Sequence, residues 1–200
     1  NLPKMTIDLN RDQKNKLKRL FEQKNYSKFE LLVEKIGDLN NLPNYLLMAY
    51  AGSKVMNPAS KKEDYLKSAI IFEKIYSGDK SNLEALYNLI LSSLKAEVAK
   101  YALPHLNDRY KLKDNDQKII EGLARIHFFL GNLDLSVKFF KELISQNSSS
   151  TIDGGRLTYL ACMNYPSGIT QKDYFTEASK LGETFNKYSK FKEYPKKDFK

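Results

Sequence analysis

The chain reads as all-α: a stack of antiparallel helix pairs closed by a C-terminal capping pair. Three observations predict this. Apolar residues recur at helical spacing along most of the 200 residues, most plainly in 118–144, which runs KIIEGLARIHFFLGNLDLSVKFFKELI. That segment holds two amphipathic runs broken only by Gly131-Asn132. Its halves must therefore fold back on each other, and they still leave one face uncovered. The same arrangement returns at a fixed interval, and only 6 Pro and 9 Gly punctuate the sequence.

Taken in order, residues 1–10 form a tail without a clear period, ending at Asn10, a candidate N-cap. A basic helix over 11–24 carries Leu17, Leu20 and Phe21. Asn25-Tyr26 makes a turn, and 27–36 is the partner helix with Phe29, Leu31, Leu32, Val33 and Ile36. After a connector over 38–43, whose Pro43 suits a first helical turn, residues 46–55 are apolar and rich in small residues (Ala49, Ala51, Gly52). Residues 56–63 read as an extended loop. Residues 65–76 are amphipathic and end at the turn Ser77-Gly78-Asp79. A third pair spans 83–95 and 98–110. Pro104 inside its second helix lacks an N–H and crowds the preceding turn, so it kinks that helix or sits close to its start. Residues 113–116 lead into the 118–144 pair.

Beyond it come a polar linker (147–151), a short apolar helix (157–163) and a loop (164–169) with Pro166 and Gly168. Thr170 and Asp173 form a capping box with Asp in place of the usual Glu. The helix it starts carries Tyr174, Phe175, Ala178, Leu181 and Phe185 on one face. From 186 onward six lysines face two acids. The expected organisation is a tail (1–10), three to four repeats (11–148), connector or capping helices (149–188) and a basic tail or linker (189–200).

The interval is measurable. Val33, Phe72, Leu106 and Phe140 occupy the same place in successive second helices, at spacings of 39, 34 and 34 residues. Phe29, Ser68, Ala102 and Ser136 stand four places earlier. In the first helices Leu86 and Ile120, Leu89 and Leu123, and Ile90 and Ala124 are each 34 apart. Removing five residues from the 56–63 loop aligns Leu47, Tyr50 and Ala51 with them. A helix-turn-helix period of 34 resembles the tetratricopeptide repeat (TPR). Gly131-Asn132-Leu133 fits that family's turn, Ala124 and Ser136 its small positions, and Phe140 its aromatic one. Its terminal Pro is replaced by Lys80, Asp114 and Ser148, Arg109 stands at a normally small position, and the first unit matches only in its second helix. The resemblance implies a TPR-like α-α superhelix of divergent repeats, with a concave groove lined by first helices that binds a protein or peptide.

By register, the groove-side residues are Tyr45, Met48 and Ala49; Glu84, Tyr87, Asn88, Leu91 and Lys95; and Lys118, Glu121, Arg125 and Phe129. Asn88 resembles a rung of the asparagine ladder of O-GlcNAc-transferase repeats, where an amide both donates to and accepts from a peptide backbone. The matching positions here are Ala49 and Gly122, so the ladder is not continued. The lysine–asparagine clamp of chaperone-tail-binding repeats is missing too. Residues 155–185, through Leu160, Met163-Asn164-Tyr165, Phe175, Glu177, Gly182 and Phe185, resemble the connector after the repeats in bacterial and plant O-GlcNAc-transferase-like (SPINDLY-type) glycosyltransferases. Ala178 and Leu181 replace that family's His and Trp. This resemblance implies a non-catalytic recognition arm, with a catalytic half following Lys200. The alternative is a free-standing adaptor or scaffold.

Other chemistry is thinly represented. No P-loop or metal-spaced Cys/His cluster occurs, and neither a metal nor a cofactor is expected. Cys162, the single cysteine, lies in the apolar run TYLACM and reads as a buried residue. His127 likewise reads as a core or groove-edge residue. No apolar run reaches 18 residues, so no transmembrane segment is expected and the cytoplasm is the expected compartment. The net charge of +9 follows from Lys-rich solvated faces. Arg11, Lys14, Lys16, Lys18, Arg19, Lys24 and Lys28 leave a basic RNA- or membrane-surface binder as a third reading, although nucleic acid is not the expected partner. A homodimer through an uncovered end repeat is a further expectation.

Overall fold

The computed structural model describes residues 7–112, 116–146, 153–164 and 168–188, with the backbone alone for 153–157 and 184–188. Among them the regular structure is helical. The helices are α1 (Arg11–Glu22), α2 (Tyr26–Ile36), α3 (Asn44–Met56), α4 (Lys62–Gly78), α5 (Leu83–Ala96), α6 (Ala99–Lys111), α7 (Gln117–Phe129), α8 (Leu133–Gln146), α9 (Asp153–Met163) and α10 (Gln171–Tyr188). Each odd helix packs on the even helix that follows. In addition α3 touches α5, α5 touches α7, and α4 touches α6, so first helices form one layer and second helices another. The polar linker at 147–151, most of the 113–116 connector, Pro166 and the basic tail beyond 188 lie outside the described residues.

The repeat register holds in the core. Val33, Phe72, Leu106 and Phe140 are all 0% exposed. Their first-helix counterparts Leu86, Leu89, Ile120 and Leu123 are as completely buried. The turns repeat as well. Gly131 (φ 75°), Glu97 (φ 59°) and Lys24 (φ 55°) are equivalent positions, and all three are left-handed. At each, the next N–H reaches back five residues: Asn132 to His127 O, Val98 to Ser93 O and Asn25 to Leu20 O, each at 2.9 Å. This is the Schellman ending. The second pair has no such turn. Its extra residues carry the chain from α3 to α4 through Asn57–Lys61 instead.

Side-chain caps set the other ends. Asn10 and Gln13 exchange bonds at 2.9 and 3.0 Å at the start of α1. Asn82 accepts from Ala85 N at 3.0 Å, and Asp116 from Lys118 N at 2.8 Å. Thr170 and Asp173 form the expected reciprocal box. The loop expected over 56–63 is shorter, because Asp64 accepts the Lys61 N–H at 3.1 Å and opens α4 at Lys62. Pro104 lies inside α6. Helix α9 starts at Asp153, earlier than the apolar pattern indicates, and packs on α8. In α10 Leu181 is buried, but Phe175 is 59% exposed rather than in the core. The side chain of Phe185 lies outside the described residues.

Serines link the layers. Ser68 Oγ donates to Ala51 O at 2.9 Å, and the equivalent Ser136 Oγ to Ala124 O at 2.8 Å. Ala102 holds that slot in the pair between them. At the other end Phe29 holds it, a ring where later pairs carry small residues.

Candidate functional site

Two crevices open between first helices, on the layer that the TPR resemblance assigns to the groove. The first, about 310 Å³, lies between α1 and α3. Leu9, Leu17, Phe21, Phe29, Tyr45, Leu46 and Ala49 give it an apolar interior, with Lys14, Lys18 and Glu22 at the rim. Phe29 of α2 lines it from behind, at the slot where later pairs carry Ser68, Ala102 and Ser136. Lys14 pairs with Asp8 at 3.6 Å and Lys18 with Glu22 at 3.8 Å, both at exposed positions. Such pairs hold little energy and yield readily to a ligand.

The second crevice, about 250 Å³, lies between α5 and α7. Ile90, Leu91, Leu94 and Gly122 form its floor; Tyr87, Lys118, Glu121 and Arg125 form its rim. The Lys118 ammonium sits over the Tyr87 ring, 4.2 Å from its centre, while the Tyr87 hydroxyl donates to Asp116. Arg125 Nε donates to Glu121 Oε1 at 2.7 Å. Gly122 is there for packing. A Cβ on it would meet Ile90 Cδ1 at 3.1 Å and Leu106 Cδ1 at 3.3 Å, so a larger residue would require those side chains to shift by a few tenths of an ångström.

The expected groove residues divide accordingly. Tyr87, Leu91, Lys118, Glu121 and Arg125 come together at the α5/α7 crevice. Tyr45 lines the α1/α3 crevice, with Ala49 beside it. Met48 is half-buried against the core. Asn88 donates to Glu84 O one turn back, so its amide serves its own helix. Lys95 donates to Val55 O at 2.9 Å and lies over the Tyr65 ring, engaged at the end of α3 and apart from both crevices. Sequence reasoning missed Leu17 and Phe21 as crevice residues. The signal was present, since α1 is the first helix of its pair and so shares the groove layer.

Reactive groups are otherwise occupied. The Cys162 thiol is buried, which pushes its pKa up, and lies 3.4 Å from Ser136 Oγ. His127 is 7% exposed and stacks on Phe139 with ring centres 5.6 Å apart; burial lowers its pKa. Burial also pushes the Tyr159 hydroxyl up to about 12. No group of three or more His, Cys, Asp or Glu residues fit to hold a metal occurs among the described residues. No described helix is long and apolar enough to cross a membrane.

No family model matches the sequence, and no curated protein matches it. Solved structures do. The chain is similar to MamA RS-1 ArsTM double mutant (TM-score 0.70, 13% identity, covering 88% of this chain and 94% of that one). It is also similar to MamA MSR-1 C2 (TM-score 0.63, 14% identity, 86% and 95%). A third likeness is to MamA AMB-1 P212121 (TM-score 0.63, 15% identity, 86% and 90%). At these identities the likeness is one of fold, and the fold of this chain is that of a TPR-type helical-repeat protein.

Proposed function

We propose that this chain is a non-catalytic protein-interaction scaffold that holds a peptide or protein segment on its first-helix layer. The α1/α3 crevice takes a large apolar side chain. The α5/α7 crevice takes a second one whose neighbouring polar groups meet Lys118, Glu121 and Arg125. The observation that carries this reading is the placement of two apolar-floored crevices on one layer, separated along the stack. Apolar anchors in pockets with a charged rim are how protein interfaces concentrate affinity. Attachment to a glycosyltransferase rests on the resemblance of residues 155–185 alone. The α9–α10 pair is equally suited to closing the stack with a polar outer face.

A displayed library of random peptides tests this. Selection on the intact chain should enrich sequences with two large apolar residues. Leu91→Asp and Tyr45→Asp, at sites 44% and 59% exposed and so compatible with folding, should each weaken the selected peptides about tenfold, roughly the loss of one buried anchor. Unchanged affinity in both variants, with circular dichroism showing intact helices, would overturn the proposal.

A further inference from the structure

A separate surface lies on the outer side of the first helix pair. Helix α2 has two chemically opposite stripes. Ser27, Glu30 and Glu34 face α3: Glu30 binds Lys54 at 3.0 Å and Asn57 at 3.2 Å, and Glu34 accepts from Tyr50. Asn57 also reaches Ser27. The acids of α2 are thus consumed in the α3 junction. Lys28 and Lys35 remain on the other stripe, with Leu31 and Leu32 between them.

Helix α1 sets Lys16 and Arg19 opposite, and the two helices enclose a trough of about 470 Å³. Its charged lining is Lys16, Arg19, Lys28 and Lys35, without a carboxylate. None of these four cations forms an ion pair among the described residues, whereas Lys14 and Lys18 on the neighbouring stripe of α1 both do. Leu31, 56% exposed, and the half-buried Leu32 make the floor apolar between cationic ends.

We infer that this trough docks an acidic amphipathic helix of a protein partner. The geometry favours that occupant. Lys28 and Lys35 are two helical turns apart, about 10.5 Å along the axis. A helix laid in the trough with carboxylates at i and i+7 matches that spacing and puts its i+3 and i+4 residues over Leu31 and Leu32. A phosphate backbone would satisfy the cations but leave the leucines against charge, and no aromatic ring lines the trough for a base to stack on. The site is independent of the first-helix crevices and shares no residue with them.

The test uses the whole chain and a labelled peptide of three heptads, each with Glu at its first position and Leu at its fourth and fifth. Fluorescence anisotropy at low salt should show binding. A scrambled peptide of equal composition should bind about tenfold more weakly, since it keeps the charge and loses the apolar stripe. The exposed pair Lys28→Glu/Lys35→Glu should weaken the ordered peptide by at least about tenfold. Lys100→Glu/Lys138→Glu, the same change in net charge elsewhere, should leave it unaltered. Thermal melts establish that each variant is folded. The inference is overturned if the ordered peptide does not bind, or if the scrambled peptide or an oligouridine binds as tightly. It also fails if both double variants lose affinity equally, or if Lys28→Glu/Lys35→Glu changes nothing.

Discussion

The α3/α4 junction, on which α2 packs, and the α7/α8 junction, on which α9 packs, are equivalent pairs of the stack but are filled with opposite chemistry. Both use a serine on the second helix to reach an alanine carbonyl on the first. Around Ser136 the filling is apolar: Phe140, Leu143, Tyr159, Cys162 and Met163. Around Ser68 an ammonium intrudes. Lys54 is 4% exposed and meets Glu30 at 3.0 Å, Asp64 at 3.2 Å and Glu34 at 3.9 Å. Burial alone would lower its pKa, but the surrounding carboxylates and the Tyr50 hydroxyl raise it. Tyr50 is pushed up by burial and by its 2.5 Å bond to Glu34. The lesson is that repeat register fixes where a side chain sits, not how it is satisfied. A charge there survives only when neighbouring helices supply partners.

The largest expected effect is on the apolar side. Phe140→Ala should cost about 3–5 kcal/mol, the usual result of truncating a fully buried ring, with little dependence on salt. Denaturant melts at two salt concentrations check both parts. On the polar side Lys54→Met should cost about 3 kcal/mol, because it strands Glu30 and Asp64 without their cation. The figure is at the low end because Asp64 is 29% exposed. Adding Glu30→Gln to Lys54→Met should recover part of the loss.

Acid separates the two junctions. The His127 pKa is lowered by burial, so its share of stability is complete above about pH 6.5 and is lost as pH falls through the lowered value. Burial pushes Asp64 upward, but the Lys61 N–H and Lys54 outweigh it and hold the pKa below the ordinary value. Its share is complete above about pH 4 and is lost only in stronger acid. Melting temperature against pH should therefore fall in two stages, and His127→Phe should abolish the upper one. Raised Lys54 contributes the reverse dependence, lost only in strong alkali.

Smaller effects come from the repeated details. Ser136→Ala and Ser68→Ala should each cost about 1 kcal/mol, the net worth of one hydrogen bond. Lys24→Gly should stabilise by about 1 kcal/mol, since Lys24 holds the left-handed turn position that Gly131 fills without strain. Chemical denaturation resolves changes of this size.

Most of the architecture was legible because it rests on local periodicity. The 34-residue spacing located the core rows, Gly131-Asn132 a turn, Asn10 a cap and Thr170-Asp173 another. Cys162 read as buried and is; His127 read as a core or groove-edge residue and lies in the core. What stayed hidden depends on partners distant in sequence. Nothing local marks Lys54 as buried; its carboxylates come from α2 and α4. The same holds for Lys95, whose reach to Val55 O crosses 40 residues. Phe29 looked like an ordinary core aromatic, and nothing local marks it as a wall of the α1/α3 crevice. The apolar stripe on α10 did not show which of its residues would be buried: Leu181 is, whereas Phe175 is 59% exposed.

The central claim is that partners bind on the first-helix layer. Amide chemical shifts of the labelled chain, titrated with a library-selected peptide, test it most directly. The account predicts the strongest changes at Leu17, Tyr45, Ala49, Tyr87, Leu91 and Glu121. Changes confined to α4, α6 and α8, with these six amides unmoved, would contradict it.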